Sequence, residues 1–160
     1  MEFVPITISN YHKIARIYLE GIKTGIATFE TEVPDWNTWN LSHLPKARIA
    51  LLVAQQIIGF AALSKVSNRK VYTGVAEVSV YVSENARGKG FGKKLLLKLI
   101  QLSEENGIWT LQSSIMRANK ASIHMHLECG FRILGYREKI GQLKGVWLDN
   151  ILMERRSSSF

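Results

Sequence analysis

The chain has 160 residues, of which 46% are hydrophobic, and this length and composition suit one domain with a packed core. No apolar run approaches the roughly 20 residues of a membrane span, and the first residues lack a signal-peptide pattern. The single cysteine, Cys129, excludes an intrachain disulfide, so we expect a cytoplasmic protein. The net charge of +8 lies mostly after residue 68 and suits an anionic ligand or nucleic acid.

Hydrophobic periodicity and capping residues predict the elements of the chain in order. The first half is predicted to contain a strand over Val4–Ser9, a helix over Tyr11–Lys23 capped by Asn10, a loop over Thr24–Pro34, a short helix through Trp36 and Trp39 capped by Asp35, and a hairpin of strands over Ile49–Ala54 and Ile57–Lys65. The second half is predicted to contain a long strand over Val71–Val82, a helix over Phe91–Glu105, a strand over Thr110–Ile115, a helix over Asn119–Glu128, and strands over Phe131–Lys139 and Val146–Glu154.

This order predicts an α/β (α+β) fold, in which a mixed sheet is flanked by about four helices. Antiparallel strands come first and strand–helix–strand units follow, which excludes a doubly wound sheet. We expect one domain over residues 1–156 and a frayed tail over Ser157–Phe160.

A glycine-rich turn, Arg87–Gly92, follows the long strand and opens the next helix with the pattern R-x-x-G-x-G. Backbone N–H groups in such a turn point one way and, with the helix start, form a cradle for phosphate oxygens. The turn does not match the dinucleotide-binding fingerprint, because the third glycine of that motif would fall at Lys93. It does not match the P-loop motif either, which requires other residues at positions 87 and 94. Lys89 and Lys94 add positive charge, so the turn predicts a pyrophosphate ligand; a turn without a ligand is the alternative.

The turn resembles the coenzyme A loop of the GCN5-related N-acetyltransferase (GNAT) superfamily. Four further segments resemble the phosphinothricin and methionine sulfone or sulfoximine acetyltransferases of that superfamily: Ala27–Glu32, Arg69–Tyr72, Asn119–Phe131 and Trp147–Asp149. The chain departs from that group at Lys70, Val78 and Gln142–Lys144, in segments that contact substrate in the group.

The resemblance implies a twisted, mostly antiparallel GNAT-type sheet, acetyl-CoA as cofactor with coenzyme A as product, and a homodimer that uses the C-terminal strands. It implies acetyl transfer to a small amino acid-like amine by direct attack in a ternary complex, in the setting of antibiotic or herbicide resistance. The implied cofactor-binding residues are Val80, Tyr81, Val82, Arg87, Gly88, Lys89, Gly90, Phe91, Gly92, Lys93, Asn119 and Ser122. Asn119 is equally well explained as a helix cap.

Two residues are candidates for catalysis. Glu77 lies in the apolar central strand, where partial burial should raise its pKa and suit it to take a proton from the amine. The alternative for Glu77 is a surface carboxylate paired with a lysine. In many relatives a tyrosine stands at the position of His126, close to the cofactor sulfur, so His126 is interpreted as the acid that protonates the leaving thiolate, as a substrate contact or as a core histidine.

The substrate-binding candidates surround the same strand. They are Phe29, Glu30, Arg69, Lys70, Val71, Tyr72, Glu77, Val78, Ser79 and Trp147. Arg69 and Lys70 would bind a carboxylate or phosphinate. The alternative for all ten candidates is that the charged residues are ordinary loop charges and the aromatic residues belong to the core. No spacing for a metal site is present. A peptide N-terminal acetyltransferase and a basic nucleic-acid-binding module are the competing functions, although no nucleic-acid motif is visible, so we expect neither a nucleic-acid nor a membrane partner.

Overall fold

The computed structural model describes residues 1–160. Its elements are β1 (Glu2–Pro5), α1 (Tyr11–Lys23), α2 (Trp36–Ser42), β2 (Ile49–Val53), β3 (Gln56–Lys65), β4 (Val75–Val82), α3 (Phe91–Glu105), β5 (Thr110–Met116), α4 (Lys120–Glu128), β6 (Arg132–Leu143) and β7 (Val146–Arg156). Two 3-10 turns, Lys70–Tyr72 and Glu84–Ala86, precede and follow β4.

The seven strands form one sheet in the order β1-β2-β3-β4-β5-β7-β6. Only β4 and β5 pair in parallel, and every other neighbouring pair is antiparallel. Four helices cover the sheet, so the predicted mixed, mostly antiparallel α/β architecture is confirmed.

The sheet opens between its two parallel strands. β4 pairs with β3 along Ala76–Val82, whereas it pairs with β5 only at Val75–Glu77. β5 continues to Met116 and pairs with β7, its neighbour on the other side, along its whole length. The backbone groups of β4 beyond Glu77 therefore have no strand partner on the β5 side, and they offer a free edge inside the fold.

Two hydrophobic clusters fill the two faces of the sheet. One packs α3 against the sheet through the fully buried Leu95 and Leu99, and the other packs α1 and α2 through Ile14, Ile17 and Trp39. The predicted apolar stripe of α3 is confirmed, because Phe91 and Leu102 pack at the margin of the first cluster. Along β4, Val78, Val80 and Val82 face this cluster and Glu77 alternates to the other face, as the period of two predicts.

Three strand predictions were wrong in extent: those of β1, of the long strand β4, and of β6, which runs to Leu143 instead of ending at Lys139. β1 ends at Pro5 because the side chain of Asn10 folds back, accepts a hydrogen bond from Thr7 N–H and donates one to the Pro5 carbonyl. Asn10 therefore precedes α1 without capping it through its side chain, contrary to the prediction. The long strand begins at Val75 instead of Val71, because residues Lys70–Tyr72 turn through i→i+3 bonds.

The chain end packs against the domain at least as far as Ser157. Its side chain is buried, and its N–H donates to the Trp109 carbonyl at 2.9 Å. The Arg156 guanidinium also donates to the Phe160 carbonyl. None of the four helices has the length and apolar character needed to cross a bilayer.

Candidate active site

A cleft of about 610 Å³ follows the free edge of β4 to the start of α3 and along α4. It brings together eleven of the twelve predicted cofactor-binding residues: Val80, Tyr81, Val82, Arg87, Gly88, Gly90, Phe91, Gly92, Lys93, Asn119 and Ser122. Lys89 lies outside the lining, and its ammonium donates to the Asn85 carbonyl at 2.9 Å. The sequence therefore predicted eleven of the twenty residues that line this cleft.

The turn before α3 has the backbone shape that an anion cradle needs. Gly88 and Gly90 have φ angles of 73° and 78°, in the left-handed region that strains any L side chain. No side chain caps α3 at Gly90, and no acidic residue lies in its first turn. The N–H groups of that turn remain available for an anion, and the helix dipole and the charge of Lys93 favour one.

The rest of the cleft suits a linear polar ligand. An extended chain that carries amide groups can bond to the free edge of β4 as an added strand does. Gly92 brings α3 close to α4, since a Cβ at this position would lie 2.9 Å from the Met125 sulfur. A diphosphate on the turn and an amide-bearing arm along β4 together match the chemistry of coenzyme A.

A second cavity of about 370 Å³ joins this cleft where β4 and β5 diverge. It contains both predicted catalytic residues, Glu77 and His126, and four predicted substrate contacts, Phe29, Glu30, Val78 and Ser79. The cleft and the cavity share Ala27, Val80, Tyr81, Asn119 and Ser122. A ligand along β4 would therefore end beside Glu77 and His126.

Glu77 has the electrostatic setting of a base. Burial raises the pKa of its carboxyl above the ordinary value of 4.5, and the nearby Arg137 guanidinium offsets only part of that shift. No hydrogen bond from the protein engages this carboxylate, so both oxygens are free to accept a proton from a ligand or a water.

His126 is a neutral acceptor in this structure. Its ring is 3% exposed, and burial lowers the pKa of the imidazole. Nδ1 lies 2.8 Å from the Ser122 carbonyl oxygen, which only accepts, so Nδ1 carries the hydrogen and Nε2 carries a lone pair. Nε2 has no partner in the chain. His126 must therefore gain a proton before it can act as an acid toward a thiolate.

Asn119 caps a helix and also borders the cleft, so both interpretations from the sequence, as a helix cap and as a cofactor contact, fit its position. Its Oδ1 accepts from the Ser122 N–H at 3.2 Å and caps α4. The side chain also borders both the cleft and the cavity. The oxygen is engaged at the helix start, whereas the amide nitrogen has no partner in the chain and can donate to a ligand.

The remaining substrate candidates lie elsewhere in the chain. Val71 and Tyr72 border a separate depression beside Trp109, and the Arg69 guanidinium stacks over the Tyr72 ring at 5.4 Å. Lys70 is exposed in the same turn. Trp147 is 55% exposed and borders a third depression with Arg117 and Asp149. Within one chain, none of these five residues reaches Glu77.

Several cavity residues were missed by the sequence analysis. Tyr18, Ser113, Ser114 and Asn150 all line the cavity of Glu77. Asn150 follows the recognised W-L-D segment and carries a signal that was available, namely a polar residue inside the apolar strand pattern of β7. Tyr18 gave no such signal, because its place on the buried stripe of α1 is explained by packing against Phe60 and Tyr81.

The comparisons with known proteins agree with this geometry. The sequence model described as the acetyltransferase (GNAT) family matches residues 14–131. A phosphinothricin N-acetyltransferase of Alcaligenes faecalis is 35% identical over 89% of this chain and 75% of that protein. An L-methionine sulfoximine/L-methionine sulfone acetyltransferase of Pseudomonas paraeruginosa is 35% identical over 66% of this chain and 62% of that protein.

Two solved structures have the same fold over nearly the whole chain. A ribosomal-protein-alanine N-acetyltransferase of Brucella melitensis has a TM-score of 0.90 at 26% identity, covering 98% of this chain and 100% of the other. A phosphinothricin acetyltransferase of Sinorhizobium meliloti, solved with acetyl-CoA, has a TM-score of 0.88 at 27% identity, covering 99% and 91%.

The fold, the cleft and these relationships define an acyltransferase. The chain belongs to the GNAT acetyltransferase family. It is an N-acetyltransferase, and acetyl-CoA is its acetyl donor.

Proposed function

We propose that this enzyme acetylates the amine of a small amino acid-like substrate of the phosphinothricin, methionine sulfone or methionine sulfoximine type. The observation that carries the proposal is the junction between the cleft and the cavity, which sets Glu77 beside the expected end of the cofactor. The cavity volume of about 370 Å³ suits a small molecule. The two curated relatives act on substrates of this type, as their names state.

Each catalytic residue has a defined task in this proposal. When bound, acetyl-CoA supplies a thioester carbonyl that a neutral amine can attack directly. An amine is mostly protonated near neutral pH, so Glu77 takes the proton that blocks its lone pair. The chamber around Glu77 holds the amine in place, which converts the attack into a reaction between bound partners and needs no covalent acyl-enzyme.

The test is thiol release from acetyl-CoA in the presence of a panel of amines. We expect release with phosphinothricin, L-methionine sulfone or L-methionine sulfoximine, and an acetylated product by mass spectrometry. Release only with short peptides would replace this proposal by the peptide acetyltransferase, which the similarity to the Brucella ribosomal-protein-alanine N-acetyltransferase favours. Release with none of these amines would overturn it.

The proposal includes a homodimer formed through the C-terminal strands. β6 is an edge strand, and it exposes Ile133, Tyr136 and Ile140, while β7 begins with the exposed Val146 and Trp147. Six of the sixteen large hydrophobic side chains that the chain exposes lie on these two strands, and this concentration supports an interaction face there. A cytoplasmic location suits the single free thiol, and a resistance role follows if phosphinothricin proves to be the preferred substrate.

A further inference from the structure

Three buried side-chain atoms in the chain lack a hydrogen-bond partner, and two of them share one cavity. The three atoms are Arg48 Nη1, His126 Nε2 and Asn150 Oδ1. Both His126 and Asn150 line the cavity that contains Glu77. A buried polar atom without a partner costs free energy, so two such atoms in one chamber point to a ligand that completes them.

Both atoms are hydrogen-bond acceptors, so a ligand that satisfies them must supply hydrogen-bond donors. His126 donates through Nδ1 to the Ser122 carbonyl, which leaves Nε2 with a lone pair. Asn150 donates through Nδ2 to Ser114 Oγ at 2.9 Å, which leaves its carbonyl oxygen Oδ1 free. Asn150 is 7% exposed, so bulk water does not compensate for the missing donor. The ligand must therefore present two N–H or O–H donors.

We infer that Asn150 is a substrate-contacting residue that, together with His126, accepts the two N–H groups of the neutral amine and so selects primary amines. This inference rests on the proposed function.

The arrangement accounts for every proton of the reaction. The ammonium group gives one proton to Glu77, and the two remaining N–H groups bond to His126 Nε2 and Asn150 Oδ1. The nitrogen lone pair is then free to form the C–N bond, while the C–S bond breaks and its electron pair leaves with the sulfur. The amide nitrogen loses one more proton, which His126 Nε2 takes and passes to the departing thiolate.

A primary amine satisfies both acceptors, whereas an N-methyl amine satisfies one. The wild-type enzyme should therefore prefer a primary amine over its N-methyl derivative, partly for steric reasons and partly through Asn150. The Asn150→Leu variant has nearly the same side-chain shape and no acceptor. This variant should lose only the part of the preference that comes from Asn150. The preference should therefore fall by about three- to tenfold, which is the contribution of one hydrogen bond between neutral groups.

The experiment measures kcat/KM for L-methionine sulfone, phosphinothricin and L-methionine, each beside its N-methyl derivative, in wild type, Asn150→Leu and Asn150→Asp. Asn150→Asp keeps an acceptor oxygen, because the Ser114 hydroxyl can turn to donate to it, and should retain the preference. The KM for acetyl-CoA should not change in any variant. Should leucine overfill the cavity and unfold the protein in thermal melts, Asn150→Val carries the same measurement.

The outcomes separate this inference from the proposed function. If wild type acetylates an amine and the preference falls in Asn150→Leu but not in Asn150→Asp, the inference stands. If wild type acetylates an amine and the preference is equal in all forms, Asn150 contacts only water and the inference alone fails. If wild type acetylates none of these amines, the proposed function fails and the inference with it.

Discussion

At the scale of single residues, Glu77 is the side chain on which the proposed chemistry depends. Replacing it by glutamine keeps its shape and removes the base, so turnover should fall by about 10²- to 10⁴-fold while acetyl-CoA binding stays unchanged. Steady-state kinetics and calorimetry measure the two effects. Glu105→Gln, on the exposed face of α3, is the matched control and should behave as wild type. A Glu77→Gln enzyme with normal turnover would remove Glu77 from the mechanism.

The pH dependence of kcat/KM reports the ionisation of the same carboxyl in the free enzyme. Glu77 is active when ionised, and burial raises its pKa, so activity should be lost as the pH falls through a midpoint above 4.5. The Arg137 guanidinium holds that pKa down, and the Arg137→Met variant should therefore move the midpoint to higher pH.

Arg132→Met supplies the control for this pH profile. Arg132 lies on the same strand, β6, but its guanidinium pairs with Glu154 at 2.9 Å instead of facing Glu77. Its replacement should leave the midpoint where wild type has it. A midpoint that moves equally in both variants would show that net charge, and not the Arg137–Glu77 interaction, sets the profile.

At the scale of the elements, the turn into α3 should determine cofactor affinity. Gly90 adopts a φ of 78°, so the Gly90→Ala variant is strained by roughly 1 kcal/mol and misaligns the N–H groups that face the diphosphate. We expect acetyl-CoA binding to weaken about tenfold by calorimetry, together with a small loss of thermal stability.

Gly107 offers a control with the same backbone strain and no ligand role. It has a φ of 79°, its Cβ would meet nothing within 4 Å, and it follows α3 at the end away from the cleft. Gly107→Ala should lower stability to a similar degree and leave acetyl-CoA affinity intact. If both variants bind acetyl-CoA equally well, the turn is not the diphosphate cradle.

The helices and strands also show which features the sequence predicts and which it does not. The bounds of α1 and α3 were predicted to the residue, because their apolar stripes are regular and Gly107 ends α3. The prediction failed at Val71, whose β-branched side chain suggested a strand although it is 65% exposed in a turn. It also failed at Asn10, whose side chain bonds backward along the chain, a choice that propensity does not determine.

The residues of the site were also predicted in part. About half of the cleft was predictable, because a continuous stretch of chain, from Val80 to Lys93, supplies ten of its twenty lining residues. Only about half of the residues that line the cavity were predicted. The lining residues come from α1, β5, α4 and β7, which are distant in sequence and meet through long-range pairing. Arg69 and Trp147 were expected in it through resemblance, and the single chain holds both of them apart from Glu77.

At the scale of the whole molecule, the apolar face of β6 and β7 should make the protein a dimer. Sedimentation should give twice the chain mass of 18.1 kDa, and Val146→Asp should convert the dimer into a monomer because it places a charge in the interface. Leu41→Asp changes an apolar residue of α2 that is 85% exposed and lies off this face, so it should remain dimeric. A wild-type mass of one chain would contradict this prediction.

The proposed function depends on one catalytic arrangement, in which the cofactor cleft ends at a chamber where Glu77 activates a small amine. The most direct test follows thiol release from acetyl-CoA by wild type and Glu77→Gln, with and without L-methionine sulfone or phosphinothricin. We predict release that requires the amine, yields an N-acetylated product and disappears in the variant. Release that is equally fast without any amine, or that survives in Glu77→Gln, would contradict it.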